Sequence, residues 1–165
     1  MNNSHFRKYI RRKEKRQRII DNNILYKRIV HVDGGSFTEP PDYKFHDAYF
    51  TVCADNGELI FFAKNIGDLW SGLAEYEAIK WAIENIKERP LKITSDCSVA
   101  LSWAIKGSSK KSKFRISKLD LTNVGLVFQH NNAADQWNIK NHSPKHDKQY
   151  YIKRHYATID LSKGG

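Results

Sequence analysis

Three acidic residues stand where an acid needs a reason to be. Asp33 ends a β-branched run before two glycines in "IVHVDGGS", Glu75 lies inside "LAEYEAIKWAI", and Asp96 closes "ITSD". Glu75 is the most demanding of the three. At about 100° of rotation per residue, the apolar stripe of its helix runs through Tyr76, Ile79, Ala82, Ile83 and Ile86. Glu75 falls on that stripe, between Ala82 and Ile86, whereas Glu77 and Glu84 point away toward Lys80 and Lys87. An unpaired carboxylate on a buried face costs on the order of several kcal/mol, so Glu75 requires a partner. Taken singly, Asp33 is an ordinary turn residue in Asp-Gly-Gly and Asp96 an ordinary helix N-cap. One arrangement explains all three. If the strands ending at Asp33 and Asp96 are neighbours and the helix packs across their C-terminal ends, the three carboxylates converge.

Carboxylates held that close repel one another unless a divalent cation sits between them. Oxygen-only ligands select a hard ion, Mg²⁺ or Mn²⁺. Two such ions roughly 3.5–4 Å apart form a clamp for in-line phosphodiester hydrolysis, one activating water and the other stabilising the leaving oxygen. Gly34 and Gly35 are expected to leave room for a phosphate backbone to pass close to the first strand.

The elements that must position these acids follow in order. "KRIVHVDGGSF" reads as a strand, and "AYFTVCADNGELIFFAK" as two strands joined around Asn56-Gly57, a strong hairpin signal. A helix is expected from about Ser71 to Lys87, closed by Pro90, then a short strand in "PLKITSD" and a short helix in "CSVALSWAI". "KGSSKKSKFR" reads as a flexible basic loop. Beyond it the pattern predicts a helix over 116–129, a loop "HNNAAD", a last strand "QWNIKN" and a final helix "KHDKQYYIKRHYA". A meander followed by strands interleaved with helices implies an α/β fold: a mixed five-stranded sheet with helices on both faces.

The 165 residues suit one domain able to bury its own core, and 40% hydrophobic content is that of a globular chain. Of the formal charge of +10, most is local. Residues 1–28 carry ten Lys/Arg against Glu14 and Asp21 alone. We divide the chain into a basic arm, 1–27, and a folded domain, 28–160. Such an arm favours polyanions. Cys53 and Cys97 lack metal-ligand spacing and read as reduced core thiols. No apolar run approaches the ~18 residues of a membrane span, and no secretory h-region opens the chain, so a cytoplasmic location without membrane contact is expected.

"IVHVDGGS", "AEYEAI" and "ITSDCS", in this order and on these elements, resemble type I ribonuclease H, of the wider retroviral-integrase-like superfamily; the resemblance spans about residues 28–157. It implies a ribonuclease H-like fold and cleavage of the RNA strand of RNA/DNA hybrids with two Mg²⁺ or Mn²⁺ ions, Asp33, Glu75 and Asp96 serving as catalytic metal ligands. Family members carry a fourth carboxylate at the start of the last helix, in an N-x-x-A-D-like setting. Asp147, in "NHSPKHDKQYY", is taken for it, at the cost of a shortened loop. His142, or else His146, would be the histidine that some relatives use in product release. The asparagines usual before the catalytic Glu are replaced by "WSGLAEY", so Ser71 is expected to take over part of their contact with the hybrid.

Nucleic acid is further expected to meet Gly34, Gly35 and Ser36, the loop lysines Lys110, Lys111 and Lys113, and the arm residues Arg11 and Arg12. Trp103 reads as core. No obligate protein partner is evident. Two alternatives remain open: a non-catalytic nucleic-acid-binding module on the same fold, and a DNA nuclease or resolvase of the superfamily.

Overall fold

A computed structural model of the chain describes residues 7–8, 10–11, 25–111, 115–142 and 158–160. Strand β1 (Arg28–Phe37) runs down the middle of the sheet. It pairs antiparallel with β2 (His46–Ala54), which pairs antiparallel with β3 (Leu59–Lys64). The β2–β3 turn closes with Gly57 N–H donating to Ala54 O at 2.9 Å, and Gly57 takes a φ of 91° that its lack of a side chain permits. This is the Asn56-Gly57 hairpin expected from the sequence.

Helix α1 (Ser71–Asn85) crosses back over the sheet to β4 (Leu91–Ser95). Arg89 closes the helix, its guanidinium donating to the Ile83 and Ile86 carbonyls at 2.9 and 2.5 Å. Strand β4 lies parallel beside β1, with His31 opposite Thr94. Helix α2 (Ser98–Lys106) then leads to β5 (Val124–Phe128), parallel to β4. Helix α3 (Ala133–His142) follows, and a short β6 (Thr158–Asp160) pairs parallel with β3. The sheet order is β5-β4-β1-β2-β3-β6. The fold is α/β, a mixed sheet with helices on both faces, as expected, with a sixth strand at its edge.

Alternation along β1 sorts the two faces. Val30 and Val32 point into the main core with Phe50, Val52, Leu91 and Ile93, under Ala78, Ile79 and Ala82 of α1 and Ala100, Leu101 and Ala104 of α2. His31 and Asp33 point to the other face, where α3 lies and Trp137 covers Phe37, Tyr49 and Phe62. Among the described residues no helix is long and apolar enough to cross a membrane. Cys53 and Cys97 are both free thiols, and burial pushes Cys53 up to about 12.

Two expectations about the second half are corrected. The helix expected over 116–129 does not form. Residues 115–121 run without regular structure, Asn123 turns the chain at φ 56°, and "VGLVF" is β5. Its β-branched content and central glycine suit a strand, and the leucines before it imitate helical spacing. "QWNIKN" is not a strand but the middle of α3. The alternation of Trp137 and Ile139 there carries no burial information, since Ile139 is half exposed. The helix buries Ala134, Asp135, Asn138 and Asn141, a stripe at helical spacing made mostly of polar residues. The final helix expected at 145–157 lies outside the described residues.

Candidate metal centre

Glu75 is 3% exposed, and what it meets is other carboxylates. Asp33, Glu75, Asp96 and Asp135 each offer an oxygen within 4.8 Å of all the others. The approach comes from both faces of the sheet. Glu75 arrives with α1, which sits close on β1 because a Cβ at Gly34 would come within 2.6 Å of Ala74 C and Glu75 N. Asp33 does not end its strand, as expected, but lies in the middle of β1, two residues beyond its last parallel pair with β4 (His31 with Thr94), and Asp96 follows directly on the end of β4. Asp135 comes from the first turn of α3. The convergence expected for the first three acids is present.

Each acid is oriented by a neighbour. Ser95 Oγ donates to Glu75 Oε2 at 2.8 Å and accepts from Cys97 N–H at 3.1 Å. Asn138 Nδ2 donates to Asp33 Oδ2 at 2.6 Å. Asn132 and Asp135 cap α3 reciprocally: Asn132 N–H donates to Asp135 Oδ2 at 3.1 Å, and Asp135 N–H to Asn132 Oδ1 at 3.0 Å. Asp96 caps nothing; the N-cap of α2 is Cys97, whose sulfur accepts from Ala100 N–H.

The cluster is electrostatically unfavourable as it stands. Burial, and then the charge of Asp33, push Glu75 well above the ordinary carboxylate range; the same two causes raise Asp96 and lift Asp135 to about 8. Among the described residues no lysine or arginine pairs with any of the four. Asp135 Oδ1 is buried without a hydrogen-bond partner. Four carboxylates, no organic cation and an orphaned oxygen fit a hard divalent cation. The cluster can hold a metal.

The acids floor a groove lined also by Gly34, Gly35, Ser36, Ser71, Asn131 and Asn138. The first four were expected near nucleic acid, and Ser36 Oγ is buried there without a partner. The space beside the glycines is not free, however. Ala74 and Glu75 fill it at Gly34, and the Tyr49 ring fills it at Gly35, where a Cβ would meet the hydroxyl oxygen at 2.6 Å. Lys110 and Lys111 are exposed on a loop whose base is tied by Ser108 N–H to Ile116 O at 2.8 Å; neither lines the groove. Arg11 is exposed, while Arg12 and Lys113 lie outside the described residues. Trp103, expected in the core, is partly buried at its margin and packs edge-on against Trp70 at 5.8 Å.

Asp147 also lies outside the described residues; among the described residues the fourth acid of the cluster is Asp135. The signal for it was present in the chain: Asn131-Asn132-Ala133-Ala134-Asp135 is itself an N-x-x-A-D run. A strand over "QWNIKN" would put that run in a loop, whereas α3 puts its aspartate in the first helical turn. His142 closes α3 at the end remote from Asp135, and the loop before the helix holds His130, whose charge helps to counter the upward shift of Asp96.

No protein-family model and no curated protein sequence matches the chain. Among solved structures it is similar to LC11-RNase H1 in complex with an RNA/DNA hybrid, at 18% identity and a TM-score of 0.42, over 67% of this chain and 92% of that one.

Proposed function

We propose that the chain is a metal-dependent endonuclease that cuts the RNA strand of RNA/DNA hybrids. The observation that carries the reading is the cluster itself: four carboxylates within 4.8 Å of one another, brought together from the middle of β1, the end of β4, α1 and α3, with a buried oxygen left unpartnered. The motifs around Asp33, Glu75 and Asp96 support the choice of substrate. In this reading Asp135, not Asp147, is the fourth metal ligand.

Two Mg²⁺ or Mn²⁺ ions bound there would supply an activated water and charge stabilisation at the leaving oxygen. The chain's own residues do the rest. Asp33 and Asp96 face the groove as the anionic ligands shared by the site. Glu75, fixed by Ser95, closes it from the α1 side. Asp135 presents its free oxygen from α3. Ser36, Ser71 and Asn131 line the groove as neutral partners for phosphate and ribose oxygens. In this reading His130, in the loop before α3, takes the part in product release that the resemblance gives to a histidine. Lys110, Lys111 and Arg11 add sequence-independent phosphate contacts, so affinity should fall steeply with salt.

The test is cleavage of end-labelled RNA as hybrid, single strand and duplex, beside duplex DNA and a four-way junction, with Mg²⁺, Mn²⁺ or EDTA. Metal-dependent cutting confined to the hybrid and lost in Asp33→Asn, Glu75→Gln and Asp96→Asn is the expected result. Cutting of the junction or of duplex DNA instead would move the protein to another nuclease class. Binding without cutting of any substrate would leave a nucleic-acid-binding module.

A further inference from the structure

Beneath the acids lies a second tier of buried polar side chains, at regular offsets from them. His31 is two residues before Asp33 on β1, Thr94 two before Asp96 on β4, and Asn132 three before Asp135 at the start of α3. Their exposures are 5%, 0% and 1%. On strands a two-residue offset returns to the same face, roughly 7 Å along the chain. The tier is continuous. Asn132 Nδ2 lies 3.1 Å from Thr94 Oγ1 and 3.1 Å from Val32 O, so one side chain ties α3 to both strands. Thr94 Oγ1 lies 2.5 Å from His31 Nδ1, and His31 Nε2 lies 2.8 Å from Asp55 Oδ1. A carboxylate only accepts, so Nε2 carries the proton, and in the neutral ring Nδ1 accepts from Thr94. The chain of donors then runs from Asn132 to Thr94 to His31 to Asp55.

An apolar layer of the same shape would pack β1, β4 and α3 at no desolvation cost. What it would not do is fix their relative positions by directional bonds. We infer that this tier is a positioning device for the metal-binding acids, with Asp55 as its outer anchor. It sets the spacing at which Asp33, Asp96 and Asp135 meet a cation, and it rests on the metal-centre reading above. Asp55 is 65% exposed and lines a separate hollow with Asn56, Trp137 and Lys140 that shares no residue with the acid groove. Because Asp55→Ala and Asp55→Asn both remove the charge, an effect on metal binding seen in the first and not in the second reports the bond to His31.

Mn²⁺ binding to the full chain, read by the loss of the free-ion EPR signal, tests this beside metal-free melting curves. Removing an outer-shell partner commonly weakens metal affinity about 10- to 100-fold. Thr94→Val, which cuts the tier in the middle, should raise the Mn²⁺ Kd by about 10-fold. Asp55→Ala, at its far end, should raise it by roughly a third of that, on the same scale. Asp55→Asn should restore near-normal affinity, because its amide oxygen still accepts from His31. Unchanged Mn²⁺ affinity in Asp55→Ala and Thr94→Val, whatever their melting temperatures, overturns the positioning role and leaves the metal centre standing. Should Thr94→Val fail to fold, the exposed Asp55 pair decides alone. A wild-type affinity no tighter than that of Asp33→Asn overturns the metal centre and the positioning role together.

Discussion

Asn138 donates to Asp33 at 2.6 Å, joining the middle of α3 to β1 across 105 residues of chain. The amide cannot turn over. Its oxygen accepts from Thr51 Oγ1 at 2.7 Å, and Thr51 is the residue opposite Asp33 in the β1–β2 register. A strand pair and a helix thus fix one carboxylate rotamer, in a cluster where the acids would otherwise move apart.

Asn138→Ala removes the donor to Asp33 and leaves the Thr51 hydroxyl buried without its acceptor. Leaving a buried polar group unsatisfied costs about 1–3 kcal/mol, so the variant should melt lower. Loss of the partner that orients Asp33 should lower kcat/KM by about 10- to 100-fold. The two effects separate in single-turnover cleavage well below the melting temperature. Wild-type rates there, at every metal concentration, would mean that Asp33 is oriented by something else.

Asp135 and Asp147 are compared directly by amide substitution. Asp135→Asn keeps the cap on Asn132, because the amide oxygen accepts as the carboxylate did, and removes one metal ligand. Cleavage should fall by about 10²-fold or more while the fold survives, a loss of the size set by misplaced charge at a reacting centre. Asp147→Asn should cleave like wild type. The reverse pattern would exclude Asp135 from the site.

How far the chain could be read in advance differed between its halves, for a physical reason. Up to Lys106 burial is mostly apolar, so hydrophobic periodicity locates β1 to β4, α1 and α2, and the acid on the α1 stripe, Glu75, leads to the site. In α3 the buried positions are Asp135, Asn138 and Asn141, with Ala134 as the apolar member. A helix that turns a polar face inward is invisible to a hydrophobic pattern. Asp135 is hidden for the same reason that α3 is: that face carries polar side chains, Asn138 bonding Asp33 and Thr51 of the sheet and Asn141 the helix's own Trp137 carbonyl, instead of apolar ones. The second tier was equally illegible, since His31 and Thr94 look like single polar residues in apolar strands until β1 and β4 are set side by side.

Gly34→Ala probes how closely α1 must sit. A methyl group there would lie 2.6 Å from helix backbone, which cannot swing aside as a side chain would. The helix must lift, and Glu75 with it. Overpacking of this kind costs about 1–3 kcal/mol. A shift of ~1 Å in a reacting group can cost on the order of 10²-fold in rate. Activity should therefore fall further than stability. A variant that melts lower but cleaves normally would show that Glu75 tolerates the displacement.

The pH dependence follows from the direction of the shifts. Glu75, Asp96 and Asp135 are all raised, by burial first and by Asp33 second, Asp135 to about 8. A raised carboxylate holds its proton in the folded state after the unfolded chain, at about 4, has released it. Between those values the folded state binds more protons, so the acids' contribution to stability is greatest at low pH and is lost as pH rises toward 8. Divalent cations act in the opposite sense, because binding requires the deprotonated acids and releases protons. The melting temperature in EDTA should fall from pH 5 to pH 8, and the increase produced by Mg²⁺ or Mn²⁺ should widen over the same interval. Asp135→Asn, which removes one of the repelling charges, should melt higher than wild type in EDTA at pH 8, on the order of 5 °C for 1–2 kcal/mol in a chain of this size. The difference between the two melting curves should close toward pH 5, where Asp135 is protonated. A difference independent of pH would mean that Asp135 is already ionised in the metal-free protein, and that the cluster is relieved of its repulsion by some other means.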